Sequence, residues 1–174
     1  FNFGAPGLEA IKTVNLLSKK NLENELDLTL KEKNILVTYH PETLNSQISP
    51  EEQIEILLKA IEAFKDINFI FTKANADIGG MKINGKIQKF VEEKNNCILF
   101  SSLGQKKYLS LLQYVDGVVG NSSSGIIEVP SFKISTVNFR IVFFNYISGK
   151  PQNGYQIKNS KKRRSRYSFC YRCF

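Results

Sequence analysis

The chain has 174 residues, 42% of them apolar and 11% aromatic, which suits one domain with a real core. No run approaches the roughly 18 consecutive apolar residues of a membrane-spanning helix, so that class is excluded. The net charge of +8 is uneven: residues 1–138 carry 15 basic and 16 acidic side chains, residues 139–174 nine basic and no acidic ones.

The isoelectric point therefore says nothing about partners of the near-neutral body. Residues 139–174 read as an aberrant basic tail. Its Lys161-Lys162-Arg163-Arg164 cluster could attract nucleic acid or anionic lipid by simple electrostatics. An unstructured charged tail is the favoured reading, and nucleic acid is not expected as a partner. Three cysteines make no disulfide framework. Cys97, inside an apolar run, reads as a small hydrophobe. Cys170 and Cys173 supply at most half of a zinc site, so no metal is expected. A reducing cytoplasm is the expected setting. With no initiator Met and no signal-peptide pattern, the chain reads as a fragment of a longer protein.

In chain order, apolar residues at 8, 11, 14, 16 and 17 follow the turn Gly4-Ala5-Pro6-Gly7 and predict a helix. Residues 21–33 are polar and mixed, and read as a short helix and a loop. Asn34 to Tyr39 is a strand that His40-Pro41 ends, because proline cannot donate to a ladder. Ser49-Pro50-Glu51-Glu52 is a helix start with a capping box and an early proline. Apolar residues at 54, 57, 58, 61 and 64 then mark one face. Asn68 to Thr72 is a strand and residues 75–80 a turn-rich loop. A helix is expected from about Lys82 to Lys94, then a strand at 97–100, a helix at 105–114 and a strand at 117–120. A short helix begins at Ile126, and Thr136 to Asn138 starts a further strand.

Strand and helix alternate with short connections. This predicts an α/β fold, a Rossmann-like parallel sheet with helices on both faces. Ligands of such sheets bind beyond the carboxyl ends of the strands. His40, Asn75, Ser102 and Ser122 each follow a predicted strand end, so four polar positions gather along one edge.

The most informative stretch is Gly120-Asn121-Ser122-Ser123-Ser124-Gly125-Ile126-Ile127-Glu128. It has the layout of a strand, a phosphate loop and a helix start. Unpaired N–H groups and hydroxyls there suit a diphosphate, and the Glu128 carboxylate suits a ribose diol. The same stretch also reads as a serine-rich loop capping an ordinary helix. His40, the only histidine, can bond a phosphate or hydroxyl, or be structural.

Gly120 to Ser131, Val37-Thr38-Tyr39-His40-Pro41-Glu42-Thr43-Leu44 and Asn75-Ala76-Asp77-Ile78-Gly79-Gly80 occur together in this order. So do Phe3 to Gly7 and the segment Ser102 to Leu112. As a set they resemble the C-terminal domain of the hydrolysing UDP-N-acetylglucosamine 2-epimerases of sialic-acid-type sugar synthesis. The resemblance spans about residues 1–138.

It implies the C-terminal half of a glycosyltransferase-B-like two-domain enzyme, with residues 1–138 as the UDP-binding domain and the N-terminal domain elsewhere. The implied substrate is UDP-N-acetylglucosamine, the products N-acetylmannosamine and UDP, with no cofactor. Ser122 and Ser123 match phosphate-contacting serines, and Ser124 and Gly125 complete the loop. Glu128 matches the ribose-binding carboxylate, Asn75 a substrate-contacting asparagine, and His40 a histidine near the diphosphate. Apart from the resemblance, Asp77 reads as a residue that shapes the turn by bonding its own backbone. A homo-oligomer stays open, as do a non-hydrolysing epimerase, a 2,4-diacetamido sugar, and a nucleotide-binding fragment or gene remnant without catalysis. Beyond Asn138 the family continues with a glycine and an Arg-Gln pair, absent here. Residues from about 139 are therefore expected to be out of frame or degraded.

Overall fold

The computed structural model describes residues 6–41, 49–75 and 78–138. Residues 1–5, Glu42 to Leu44, Asp77 and the tail from residue 139, with the out-of-frame reading, lie outside the described residues.

The described elements are α1 (Pro6–Thr13), α2 (Lys19–Leu26), β1 (Asn34–Thr38), α3 (Pro50–Glu62), β2 (Asn68–Thr72) and α4 (Ile78–Glu92). There follow β3 (Cys97–Phe100), α5 (Gly104–Leu111), β4 (Gly117–Gly120), α6 (Ser124–Ile127), a 3-10 turn (Val129–Phe132) and β5 (Ser135–Asn138). The five strands form one sheet in the order β3-β2-β1-β4-β5, and every pairing is parallel. The chain builds outward from β1 in one direction, returns, and builds outward in the other. The switch point lies between β1 and β4, where such sheets open a crevice at their carboxyl ends.

Alternation along the strands divides the core between two faces. Leu36, Ile70 and Val118 pack with Leu22 and Leu26 of α2 and Leu109 and Leu111 of α5. Their neighbours Val37, Phe69 and Phe71 pack on the other face with Ile54, Leu57 and Ile61 of α3 and Ile83 and Ile87 of α4. Each fully buried side chain of this kind contributes about 1.5–3 kcal/mol, so both helical layers are fixed to the sheet.

The expected capping box is present: Ser49 Oγ accepts from Glu52 N at 3.2 Å, and Glu52 accepts from Ser49 N at 2.8 Å. Helix α4 starts at Ile78, a turn before the expected Lys82, and takes in Gly79 and Gly80. Those glycines favour a loop intrinsically. Here Gly80 is buried, and Asn84 of the first turns bonds both N and O of Ala74. Tertiary contacts hold the turn that propensity disfavours. Helix α5 ends at Leu111 rather than at 114, with the next three residues turning towards β4. Cys97 is half-buried, and burial pushes its thiol up to about 11.

Candidate functional site

The site grows from the junction of β1 and β4. In register, Thr38 pairs with Gly120 at the carboxyl ends. A Cβ on Gly120 would lie 1.8 Å from Thr38 O, and its φ of +153° is one that side chains rarely adopt. Only glycine lets the two strands meet this closely before the chain turns.

One residue later, a side chain continues the ladder. Asn121 N donates to Thr38 O at 3.2 Å. Asn121 Oδ1 accepts from His40 N at 2.8 Å, and its Nδ2 donates to His40 O at 2.7 Å. The carboxamide thus stands in for a peptide unit and ties the loop after β1 to the turn after β4. The opposite amide orientation would set donor against donor. Asn84 holds Ala74 in the same way, at 2.8 and 3.1 Å, which fixes the backbone immediately before Asn75.

Beyond Asn121 the chain forms a tight turn. Ser124 N donates to Ser122 Oγ at 3.3 Å, and Gly125 N to Ser122 O at 3.1 Å. Among the described residues, none accepts from the backbone N–H of Ser122 or Ser123. Helix α6 is a single turn without a side-chain cap, so it lacks the aligned peptides that a substantial macrodipole requires. The expected helix-end contribution to anion binding is therefore small. The local donors are the loop N–H groups and the hydroxyls. Gly125 is buried: a Cβ there would lie 2.9 Å from Thr136 Cγ2, and Thr136 Oγ1 donates to Gly125 O at 3.2 Å. This pins the turn against β5.

Among the described residues, two side-chain polar atoms are buried with no hydrogen-bond partner, His40 Nδ1 and Glu128 Oε2. A buried polar atom without a partner costs about 1–3 kcal/mol, and such atoms call for an explanation. Both fall on residues singled out from sequence. One belongs to the arm after β1 and the other to the end of the serine turn, on the two sides of the switch point.

The remaining candidates sit differently. Ser123 is exposed and Ser122 and Ser124 are half-buried. Asn75 is exposed, past the end of β2, which lies beside β1. Ser102 follows the edge strand β3, two strands from β1 (roughly 10 Å), and its Oγ accepts from Gly104 N at 3.2 Å. The four strand-end positions share an edge, but among the described residues hydrogen bonds join only His40 to the turn after β4, through Asn121. No group of three or more His, Cys, Asp or Glu among the described residues is arranged to hold a metal.

Sequence reasoning missed two participants. Asn121 reads only as part of the loop after β4. Tyr108 falls within the helix expected at 105–114 with no role given to it, and its hydroxyl bonds Ser124 Oγ. Burial, with the Glu128 carboxylate adding to it, holds the Tyr108 phenol above its ordinary value despite that bond.

With this geometry in hand, comparison with known proteins is informative. The family model described as UDP-N-acetylglucosamine 2-epimerase matches residues 1–142. A Campylobacter jejuni protein named GDP/UDP-N,N'-diacetylbacillosamine 2-epimerase (hydrolyzing) is 42% identical over 139 residues, 79% of this chain and 36% of that protein. An Escherichia coli protein named polysialic acid biosynthesis protein P7 is also 42% identical over 139 residues, 79% of this chain and 35% of its own length. The chain thus spans about a third of the length of the curated relatives it matches. Among solved structures, the S. aureus MnaA–UDP co-structure aligns with a TM-score of 0.58 at 19% identity, covering 78% of this chain and 35% of that one. That likeness is one of fold.

Proposed function

Because the chain belongs to the UDP-N-acetylglucosamine 2-epimerase family, we propose that its described body is the nucleotide-binding part of a hydrolysing 2-epimerase. The substrate would be a UDP-linked 2-acetamido sugar, with UDP-N-acetylglucosamine giving N-acetylmannosamine and UDP. In this reading the diphosphate lies against the Ser122–Ser124 turn, the ribose diol against Glu128, and His40 beside the leaving diphosphate, with Asn75 reaching the sugar side. The observation that carries the reading is the pair of buried, unpartnered atoms, His40 Nδ1 and Glu128 Oε2, flanking that turn at the switch point.

In the proposed reaction a base removes the proton from sugar C2. The C1–O bond to UDP breaks, its electron pair leaves on the diphosphate, and a C1=C2 double bond forms. Water then adds its oxygen to C1, a proton returns to C2 from the opposite face, and UDP and the epimerised sugar leave. The part of these residues is to bind and stabilise the departing diphosphate with preorganised donors. The family resemblance assigns the acid–base carboxylates to the domain that precedes this one in the longer proteins. These 174 residues alone should therefore show no appreciable turnover in a UDP-release assay. Turnover would refute that division of labour.

The name of the Campylobacter relative supports a second reading of the sugar, a 2,4-diacetamido hexose. A UDP titration of the full chain tests the site under either reading. Saturable binding, weakened at least tenfold in Glu128→Ala and Ser122→Ala, is expected. No binding by a folded chain would contradict the assignment.

A further inference from the structure

We propose that Tyr108 is a positioning residue of this site: its hydroxyl donates to Ser124 Oγ and leaves the Ser124 proton directed at an anionic oxygen of the ligand. This rests on the nucleotide reading above. It adds the chemistry that the turn selects, an acceptor-only phosphate oxygen over a neutral hydroxyl.

Three observations lead there. First, the Tyr108 hydroxyl and Ser124 Oγ are in close hydrogen-bond contact, a pair in which either oxygen could donate. A phenol is the more acidic partner and an aliphatic hydroxyl the better acceptor, so the proton order is Tyr to Ser. A phenol is protonated through the neutral range, and burial with the Glu128 carboxylate moves this one further from ionising.

Second, Ser124 has its backbone groups engaged elsewhere. Its N–H donates to Ser122 Oγ, and its carbonyl accepts from Glu128 N at 3.0 Å. The one adjustable group is its own O–H. A hydroxyl has one proton and two lone pairs. Once Tyr108 occupies a lone pair, the serine proton is the remaining directional feature. Donation into an oxygen also polarises its O–H and makes it a better donor.

Third, the helix that carries Tyr108 is anchored. Ser110 Oγ, near the end of α5, accepts from Leu17 N at 2.9 Å, and Tyr114 just past it donates to Leu17 O at 3.1 Å. These bonds join α5 to a segment 93 and 97 residues away in sequence. Tyr108 is thus presented to the serine turn from a fixed support. A packing role alone would make the phenol oxygen dispensable, because the ring stays in Tyr108→Phe.

The test uses the full 174-residue chain and four proteins: wild type, Tyr108→Phe, Ser124→Ala and the double variant. UDP binding is followed by calorimetry and uridine binding by amide shifts, with thermal melting as the check of folding. Tyr108→Phe should weaken UDP about 5- to 10-fold, as for losing a hydrogen bond that supports a charged group. Uridine affinity should stay within about twofold, and the double variant should bind UDP no worse than Ser124→Ala. Wild-type UDP affinity in Tyr108→Phe would overturn the proposal. So would equal losses for UDP and uridine, or additive losses in the double variant. Failure of the folded wild type to bind UDP would instead overturn the nucleotide reading, and the relay with it.

Discussion

At the amino ends of the strands, polar side chains complete one another. Asn34 Oδ1 accepts from Lys31 N at 3.0 Å and from Asn68 Nδ2 at 3.3 Å, and Asn34 Nδ2 donates to Lys31 O at 2.9 Å. Asn34 N donates to Asp116 at 2.9 Å, and Asn96 Nδ2 donates to the carbonyls of Phe64 and Ile67 at 3.0 and 2.8 Å. At the carboxyl ends the same residue type makes the same clasp, Asn121 on His40, yet His40 Nδ1 and Glu128 Oε2 stay buried without partners. At one end the side-chain amides meet partners, and the other holds its backbone still while leaving side-chain atoms unmet. That difference supports a structural part for the first and the proposed ligand site for the second.

The largest expected effect breaks the second end outright. Gly120→Ala forces a Cβ against Thr38 O and a backbone angle hostile to side chains. It should cost about 3 kcal/mol or more, read as a lower urea midpoint. A near-native midpoint would mean that the strands do not meet as described.

Two asparagine substitutions then separate the ends. Asn34→Ala removes a buried hub and should cost about 2 kcal/mol in urea unfolding, with UDP affinity unchanged in the folded protein. Asn121→Ala should cost about 1 kcal/mol but weaken UDP about tenfold, because the His40 arm is released. If both variants changed binding alike, the distinction between the two ends would be lost.

A smaller effect concerns the capping box of α3. Hydrogen bonds from the Ser49 backbone and then its hydroxyl hold the Glu52 carboxyl below its usual 4.5. Since the folded value is the lower one, this stabilisation is complete above the ordinary carboxylate range. It fades as pH falls through the folded value. Ser49→Ala should cost about 1 kcal/mol at neutral pH, and the gap to wild type should narrow in acid. A gap that widens in acid would reverse the sign argued here.

The smallest effect is kinetic. Cys97 opens β3 at the amino end, and its thiol is pushed up to about 11 by burial. Peptide-resolved alkylation at pH 8 should be slow for the folded chain and indifferent to UDP. Fast labelling would contradict the raised thiol, and protection by UDP would contradict the placing of Cys97 away from the proposed site.

Much of the frame was legible because it rests on local pattern. The strands at 68–72, 97–100 and 117–120 coincide with their expected bounds, since each is a short apolar run between turn signals. The capping box of Ser49 and Glu52 was legible for the same reason. The start of α4 was not, because Gly79 and Gly80 argue against a helix locally and only the Asn84 clasp on Ala74 and burial reverse that. Of the candidate site, His40, the serine turn and Glu128 could be proposed from sequence, because strand ends, turn chemistry and the family resemblance mark them. Asn121 and Tyr108 could not, because their roles arise from partners 81 and 16 residues away. Nor could the sequence tell that Ser102 follows an edge strand while His40 follows the central one.

Hydrogen exchange of the full chain, with and without millimolar UDP, tests the contrast between the two ends most directly. UDP should slow exchange in peptides spanning residues 38–40 and 120–128 and leave residues 31–34 and 94–97 unchanged. Protection at the amino ends of the strands, or none at the serine turn, would contradict the account.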